Sequence, residues 1–227
     1  MDTRKRIVVV GGVAGGASAA ARARRLSEDA EITIFERGEH VSFANCGLPY
    51  HIGGAITDRE RLLVQTPEAL HRRYRIAVRT RSEVVAIHRD RRTVAVRDLT
   101  TGQEHEETYD ALVLSPGAEP VRPPLPGVNS RRVFTLRNLT DMDAIKRVVD
   151  EEMPQRAVVV GGGYIGLEMT EALRERGVAV TLVELDGQVM GPADPEMAAP
   201  LHHELAAHGV DLRIGTSVTS FQEDGPR

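Results

Sequence analysis

The chain has 227 residues, 41% hydrophobic and 27% charged, proportions that exclude a disordered or collagen-like polymer and leave one large domain or two small ones. A formal charge of −4 argues against a dedicated nucleic-acid binder, and arginine is background, since Lys5 and Lys146 are the only lysines among 29 basic residues. The longest apolar runs are strand-length, and a single cysteine, Cys46, excludes an internal disulfide, a CxxC pair and a multi-cysteine zinc site. A cytoplasmic protein with no membrane span, no signal peptide and no metal site is expected, and any thiol chemistry falls to Cys46 alone.

In chain order, residues 6–10 form a β-branched run that enters Gly11-Gly-Val-Ala-Gly-Gly16. An Ala/Arg helix to Leu26 follows, and then a strand ending at Glu36. Thr66-Pro67-Glu68 is an N-cap and N1-proline start for a helix to about Tyr74. Residues 84–88, 93–98 and 105–109 alternate, with Thr101-Gly102 as a turn, and predict an antiparallel meander. Residues 111–114 return as a strand before a proline-rich stretch at 116–126. A linking helix over 140–152, capped by Thr140, puts a boundary near Met153.

Residues 156–160 then repeat the opening, leading into Gly161-Gly-Gly-Tyr-Ile-Gly166, a helix to about Arg176 and a strand ending at Glu184. Asp194-Pro195-Glu196 opens another helix ending near His208 with Gly209 behind it, and Pro200 is expected to bend or shorten it. Residues 210–214 and 217–221 read as strands. Continuous apolar strands suit parallel sheets buried on both faces, so the expected fold is α/β. It has two Rossmann-like doubly wound units, 1–153 and 154–227, with the meander inserted in the first.

A glycine turn between strand and helix lets backbone N–H groups and the helix N-terminus approach a pyrophosphate, and the acid ending the next strand accepts hydrogen bonds from a ribose. Gly161, Gly163 and Gly166 give the full GxGxxG, with Glu184 18 residues on. In the first unit Gly11 and Gly16 are in register, Val13 replaces the middle glycine, and Glu36 lies 20 residues on. One such motif can serve helix packing alone; two copies, each with strand, helix and acid in place, point to two nucleotides. Glu184 is followed by Leu185 and Asp186, with no arginine to pair a 2′-phosphate, which favours NADH over NADPH.

Ser42-Phe-Ala-Asn-Cys-Gly-Leu-Pro-Tyr50, together with the first glycine turn, closely resembles the coenzyme A disulfide reductases and the related NADH oxidases and persulfide reductases. These belong to the FAD-dependent pyridine nucleotide-disulfide oxidoreductases. Ser115-Pro-Gly-Ala118 and Thr135-Leu-Arg-Asn-Leu139 are similar to other segments of the group, and Val13 fits its pattern. The resemblance implies FAD in the first unit, held by Gly11, Gly12, Val13, Ala14, Gly15, Gly16, Glu36, Arg37, Val84, Ser115, Pro116 and Gly117. It implies NADH in the second, held by Gly161, Gly163, Tyr164, Ile165, Gly166 and Glu184.

On the same resemblance, a hydride passes from NADH to FAD and then reduces a sulfur species on the catalytic Cys46. The substrate is a small disulfide or persulfide derived from coenzyme A, and it supplies the resolving thiol that the chain lacks. Ser18, Arg22 and Arg25, at i, i+4 and i+7 of the first helix, correspond to positions that hold coenzyme A, and Ser42 and Asn45 to positions lining the thiol pocket. A solvated arginine face is the competing account of the first three. Tyr74 stands where a related enzyme carries a basic residue, with Arg72 and Arg73 beside it.

Two other functions remain open: an NADH oxidase or peroxidase cycling Cys46 through a sulfenic acid, and a non-catalytic nucleotide-binding module. Relatives continue past the point where this chain stops, with a returning FAD segment and a C-terminal domain that forms the homodimer interface. The sequence therefore reads as an N-terminal half whose flavin pocket lacks one wall. His51 is a minor candidate for proton donation, and His202 and His203 are expected on a solvated helix face rather than at a metal.

Overall fold

The computed structural model describes residues 4–222. These form two compact units, 4–44 with 60–118, and 45–59 with 119–222. The division by packing thus differs from the boundary near Met153, because the segment around Cys46 and the linking helix both pack in the second unit.

In the first unit, β1 (Arg6–Val10), β2 (Glu31–Phe35), β3 (Ile76–Arg79) and β7 (Ala111–Leu114) form a parallel sheet in the order β3-β2-β1-β7. Side chains alternate across a strand, so the adjacent Val8 and Val9 of central β1 enter opposite cores, and both are buried. Val9 packs with Ile32, Ile34 and Ile76 beneath Ala20 of α1 (Ala14–Leu26) and Leu70 of α3 (Pro67–Tyr74). Val8 and Phe35 pack instead against Val94 and Val96 of the meander and Tyr109 just after it. That meander is β4 (Ser82–His88), β5 (Thr93–Asp98) and β6 (Glu104–Thr108), antiparallel as expected, with a bulge between Val84 and Ala86. Thr66 caps α3 through its side chain, which accepts the Ala69 N–H at 3.2 Å.

In the second unit, β8 (Arg156–Val160), β9 (Ala179–Val183) and β10 (Asp211–Arg213) form a parallel sheet in the order β10-β9-β8. Leu182, Val189 and Val210 bury one face together with residues of α5 (Tyr164–Glu175) and α6 (Pro195–Ala207), among them Leu167, Leu201 and Leu205. Burial on both faces holds for the first sheet but not here: Val158 and Val160 are 64% and 54% exposed, since β8 is an edge strand and both helices lie on the other face. A short helix, α2 (Leu48–Gly53), and α4 (Leu139–Arg147), which runs on as a π-helical turn Val148–Glu152, complete the unit.

Three expectations are corrected. The linking helix starts one residue earlier than expected: Asn138, not Thr140, is its cap, accepting the Asp141 N–H at 2.9 Å, while the Asp141 carboxylate reaches back to the Arg137 N–H. Pro200 does not shorten α6, which runs on to Ala207, because its ring is exposed and it removes only one bond of the ladder. Residues 217–221 form no strand; Phe221 donates instead to the Pro126 carbonyl at 2.8 Å. Among the described residues no helix is long and apolar enough to cross a membrane.

The two units repeat one another beyond their glycines. Arg24 and Arg174, each eight residues past the third glycine, donate through Nε to a carbonyl behind a later helix, Tyr74 O at 2.7 Å and His208 O at 3.0 Å. Gly12 O accepts from Ser42 N–H and Gly162 O from Met190 N–H, with Ser42 at φ 47° and Met190 at φ 52°. Glu36 N–H bonds Arg79 O, and Glu184 N–H bonds Arg213 O.

Candidate dinucleotide and thiol sites

In the first loop Gly11 sits at φ +87° and donates to Phe35 O at 2.8 Å; a Cβ there would lie 2.1 Å from Ser115 O. A Cβ on Gly16 would meet Gly11 O at 1.7 Å, so both positions require glycine. The loop enters α1 at Val13, which gives no side-chain cap, and the first turn carries no acid. The N–H groups of that turn and the positive end of the macrodipole are therefore left for an anion. Ser115 borders the same loop, its Oγ 3.2 Å from where a Gly15 Cβ would stand, and Pro116 and Gly117 follow it.

The Glu36 carboxylate accepts the Gly12 and Gly38 N–H groups, both at 2.7 Å, which leaves about two of its four lone-pair sites for a ribose diol. Arg37 faces Glu83 at 3.8 Å, and the Val84 side chain packs on the Val8 and Phe35 core.

The second loop has the same build. Gly161, at φ +101°, donates to Val183 O, and a Gly166 Cβ would meet Gly161 O at 1.8 Å. Gly163 caps α5 with no side-chain bond, and a Cβ there would have nothing within 4 Å, so packing does not require a glycine and the space is open to a ligand. Tyr164 and Ile165 stand exposed on the first turn.

Glu184 accepts the Gly162 N–H at 2.5 Å and the Asp186 N–H at 2.9 Å. Partial burial works to raise its carboxyl above the usual range, but the Asp186, Gly162 and Leu185 N–H groups outweigh it and hold the group below that range. The fixed anion disfavours a 2′-phosphate. Sequence reasoning missed Gly162, whose missing Cβ makes room for Val189, and the left-handed Ser42 and Met190, because these follow from where the chain returns.

Ser18, Arg22 and Arg25 are exposed on one face of α1, and among the described residues neither arginine has an ion-pair partner. Tyr74 is half-buried beneath the Arg73 guanidinium, which lies 5.2 Å from the ring centre. Ser42 stands beside Gly12, its N–H on the Gly12 carbonyl at 2.9 Å.

Asn45 and Cys46 belong to the second unit, on a single 3-10 turn, Asn45–Gly47, that runs into α2, and the Cys46 side chain is exposed. α2 rests on α5, where a Cβ on Gly53 would come within 3.1 Å of Ala172 Cα. His51 is buried with Nδ1 2.6 Å from Ile56 O, so its Nδ1 proton is committed to that carbonyl. His202 is not on a solvated face: it is half-buried and its Nε2 accepts the Val189 N–H at 3.1 Å, while His203 is exposed. Among the described residues no cluster of His, Cys, Asp and Glu could hold a metal ion.

Residues 5–226 match the family model of the pyridine nucleotide-disulphide oxidoreductases. The chain belongs to that family. It is 41% identical over 219 residues to the coenzyme A disulfide reductase of Staphylococcus haemolyticus, an alignment covering 96% of this chain and 49% of that protein. Among solved structures it is similar to reduced Bacillus anthracis CoADR-RHD, with 53% identity, a TM-score of 0.94, and coverage of 97% of this chain and 40% of that one. The NAD-dependent persulfide reductase of A. fulgidus superposes with a TM-score of 0.91 at 36% identity, covering 96% and 41% of the two chains. The chain thus spans about half the length of the curated relatives it matches. The two loops fit the cofactors of this family, FAD and NADH: each offers an uncapped helix N-terminus, glycines that packing or ligand space demands, and a carboxylate with free lone pairs.

Proposed function

We propose that this chain carries the FAD-binding (1–153) and NADH-binding (154–227) parts of an NADH:disulfide oxidoreductase that acts on coenzyme A disulfide or a coenzyme A persulfide through Cys46. The observation that carries this reading is an exposed lone cysteine, held on a turn at the start of α2, in a chain with no second thiol to resolve it.

As a thiolate, Cys46 attacks one sulfur of the substrate disulfide. A Cys46–coenzyme A disulfide forms, the substrate S–S bond breaks, and one coenzyme A leaves as thiolate with the bond's electron pair. Two electrons and a proton must then return to the mixed disulfide to free Cys46 and the second coenzyme A. FAD, when bound, supplies the chemistry that links hydride donation by NADH to that reduction. Arg22 and Arg25, lacking acidic partners, suit the phosphates of coenzyme A, with Ser18 on the same face. Ser42 and Asn45 precede the cysteine in sequence and are assigned to substrate binding in this reading. The ionised Glu184 favours NADH over NADPH.

Intact-mass measurement of the oxidised protein tests the reading. The expected result is an adduct with the mass of coenzyme A, removed by NADH in the presence of FAD and missing from Cys46→Ser. A single added oxygen on Cys46 would instead support an oxidase or peroxidase cycle. NADH binding without flavin retention or any adduct would leave a nucleotide-binding module.

A further inference from the structure

We propose that Arg176 is a positioning residue for Cys46, fixing the register of α2 on α5 and so the place of the turn that carries the thiol. This rests on the reading of Cys46 as the reactive group. With six residues, α2 is about 9 Å long and too short to hold its own place. It buries Leu48, His51 and Ile52, and its C-terminal end approaches α5 at Gly53, where a Cβ would lie 3.1 Å from Ala172 Cα.

Arg176 caps the C-terminus of α5, and its Nη1 donates at 3.0 Å to Ile52 O, one of the end carbonyls that a helix leaves unsatisfied. Nη2 is 2.6 Å from Asp150 Oδ1, and Asp150 Oδ2 is 3.2 Å from Lys146 Nζ, so the guanidinium is braced from α4 and its π-helical extension. Burial works to raise the Asp150 carboxyl, but Arg176 and Lys146 outweigh it and hold the group below its usual range, so the brace is ionised at neutral pH.

Downstream, a two-pronged Arg59–Asp143 pair, with contacts of 2.7 to 3.2 Å, pins the end of the same segment. The upstream end is tied at Ala44, whose N–H donates to Leu62 O at 2.8 Å, and Cys46 lies between that tie and α2. Cys46 is six residues from Ile52, so a tilt of about 10° at Gly53 moves the thiol by roughly 1.5 Å. A displacement of about 1 Å can cost on the order of 10²-fold in an oriented reaction.

Because Cys46 is the only cysteine of these 227 residues, every mixed disulfide on them reports on it. The pre-reduced protein is exposed to coenzyme A disulfide and, separately, to the small neutral 2-hydroxyethyl disulfide, and adduct formation is followed by intact mass. Arg176→Ala is expected to slow the coenzyme A reaction by about 10-fold and the small disulfide by less than about 2-fold, with NADH affinity unchanged. Arg176→Lys keeps the charge but loses the planar two-pronged fork, and is expected to fall between; if the alanine variant does not fold, the lysine variant decides by the same split. Equal losses with both disulfides mark a merely structural role and overturn the proposal, as does no loss. A wild-type chain that forms no coenzyme A adduct overturns the reading of Cys46 itself, an outcome visible before any Arg176 variant is made.

Discussion

Gly163 and Gly166 separate ligand from fold within one motif. A Cβ on Gly166 would lie 1.8 Å from the Gly161 carbonyl, so Gly166→Ala must shift backbone and should cost more than about 2 kcal/mol in urea unfolding. A Cβ on Gly163 would meet nothing within 4 Å and its φ of −79° suits any residue, so Gly163→Ala should cost under about 1 kcal/mol. The same methyl would stand where a pyrophosphate must come close to backbone, so NADH binding by calorimetry should weaken about 10-fold or more. Unchanged affinity would remove this loop as the dinucleotide site. The glycine turns and the acids that end the next strands were legible because their signals are local in sequence. The bonds from Gly12 and Gly162 N–H groups to Glu36 and Glu184 were not, because they need the chain to return after more than 20 residues.

Elements with periodicity or a clear cap were readable, and those without either were not. β3 has four residues and follows α3 directly through a left-handed Arg75, with no turn signal to mark it. α2 has six residues, one of them proline, too few to show a helical period. For α4 the sequence offers Asn138 and Thr140, two good caps two residues apart, and only the fold decides which oxygen meets an N–H. Asn138→Ala should therefore cost about 1 kcal/mol in urea unfolding, and Thr140→Ala, on an exposed helical position, within about 0.5 kcal/mol of zero. Reversed costs would place the cap at Thr140 in solution.

Across the whole molecule, the repeat reaches far beyond the glycine motifs: paired arginines, paired left-handed residues and paired strand-end bonds recur at corresponding places in each unit. The two sheets nonetheless differ in cover. The first has a core on each face, built from β-branched strands between helices and meander. In the second, equally apolar β8 sequence leaves Val158 and Val160 open, which no reading of hydrophobic pattern distinguishes from a buried strand. An exposed apolar edge strand is a site for self-association. Threonine keeps the β-branched shape and strand preference, and at positions 64% and 54% exposed it gives up little buried area. The double variant Val158→Thr, Val160→Thr should stay within about 1 kcal/mol of the wild type in urea unfolding. It should also bind less of an apolar fluorescent dye and scatter less light at high concentration. A loss of several kcal/mol would mean instead that this face is buried in solution.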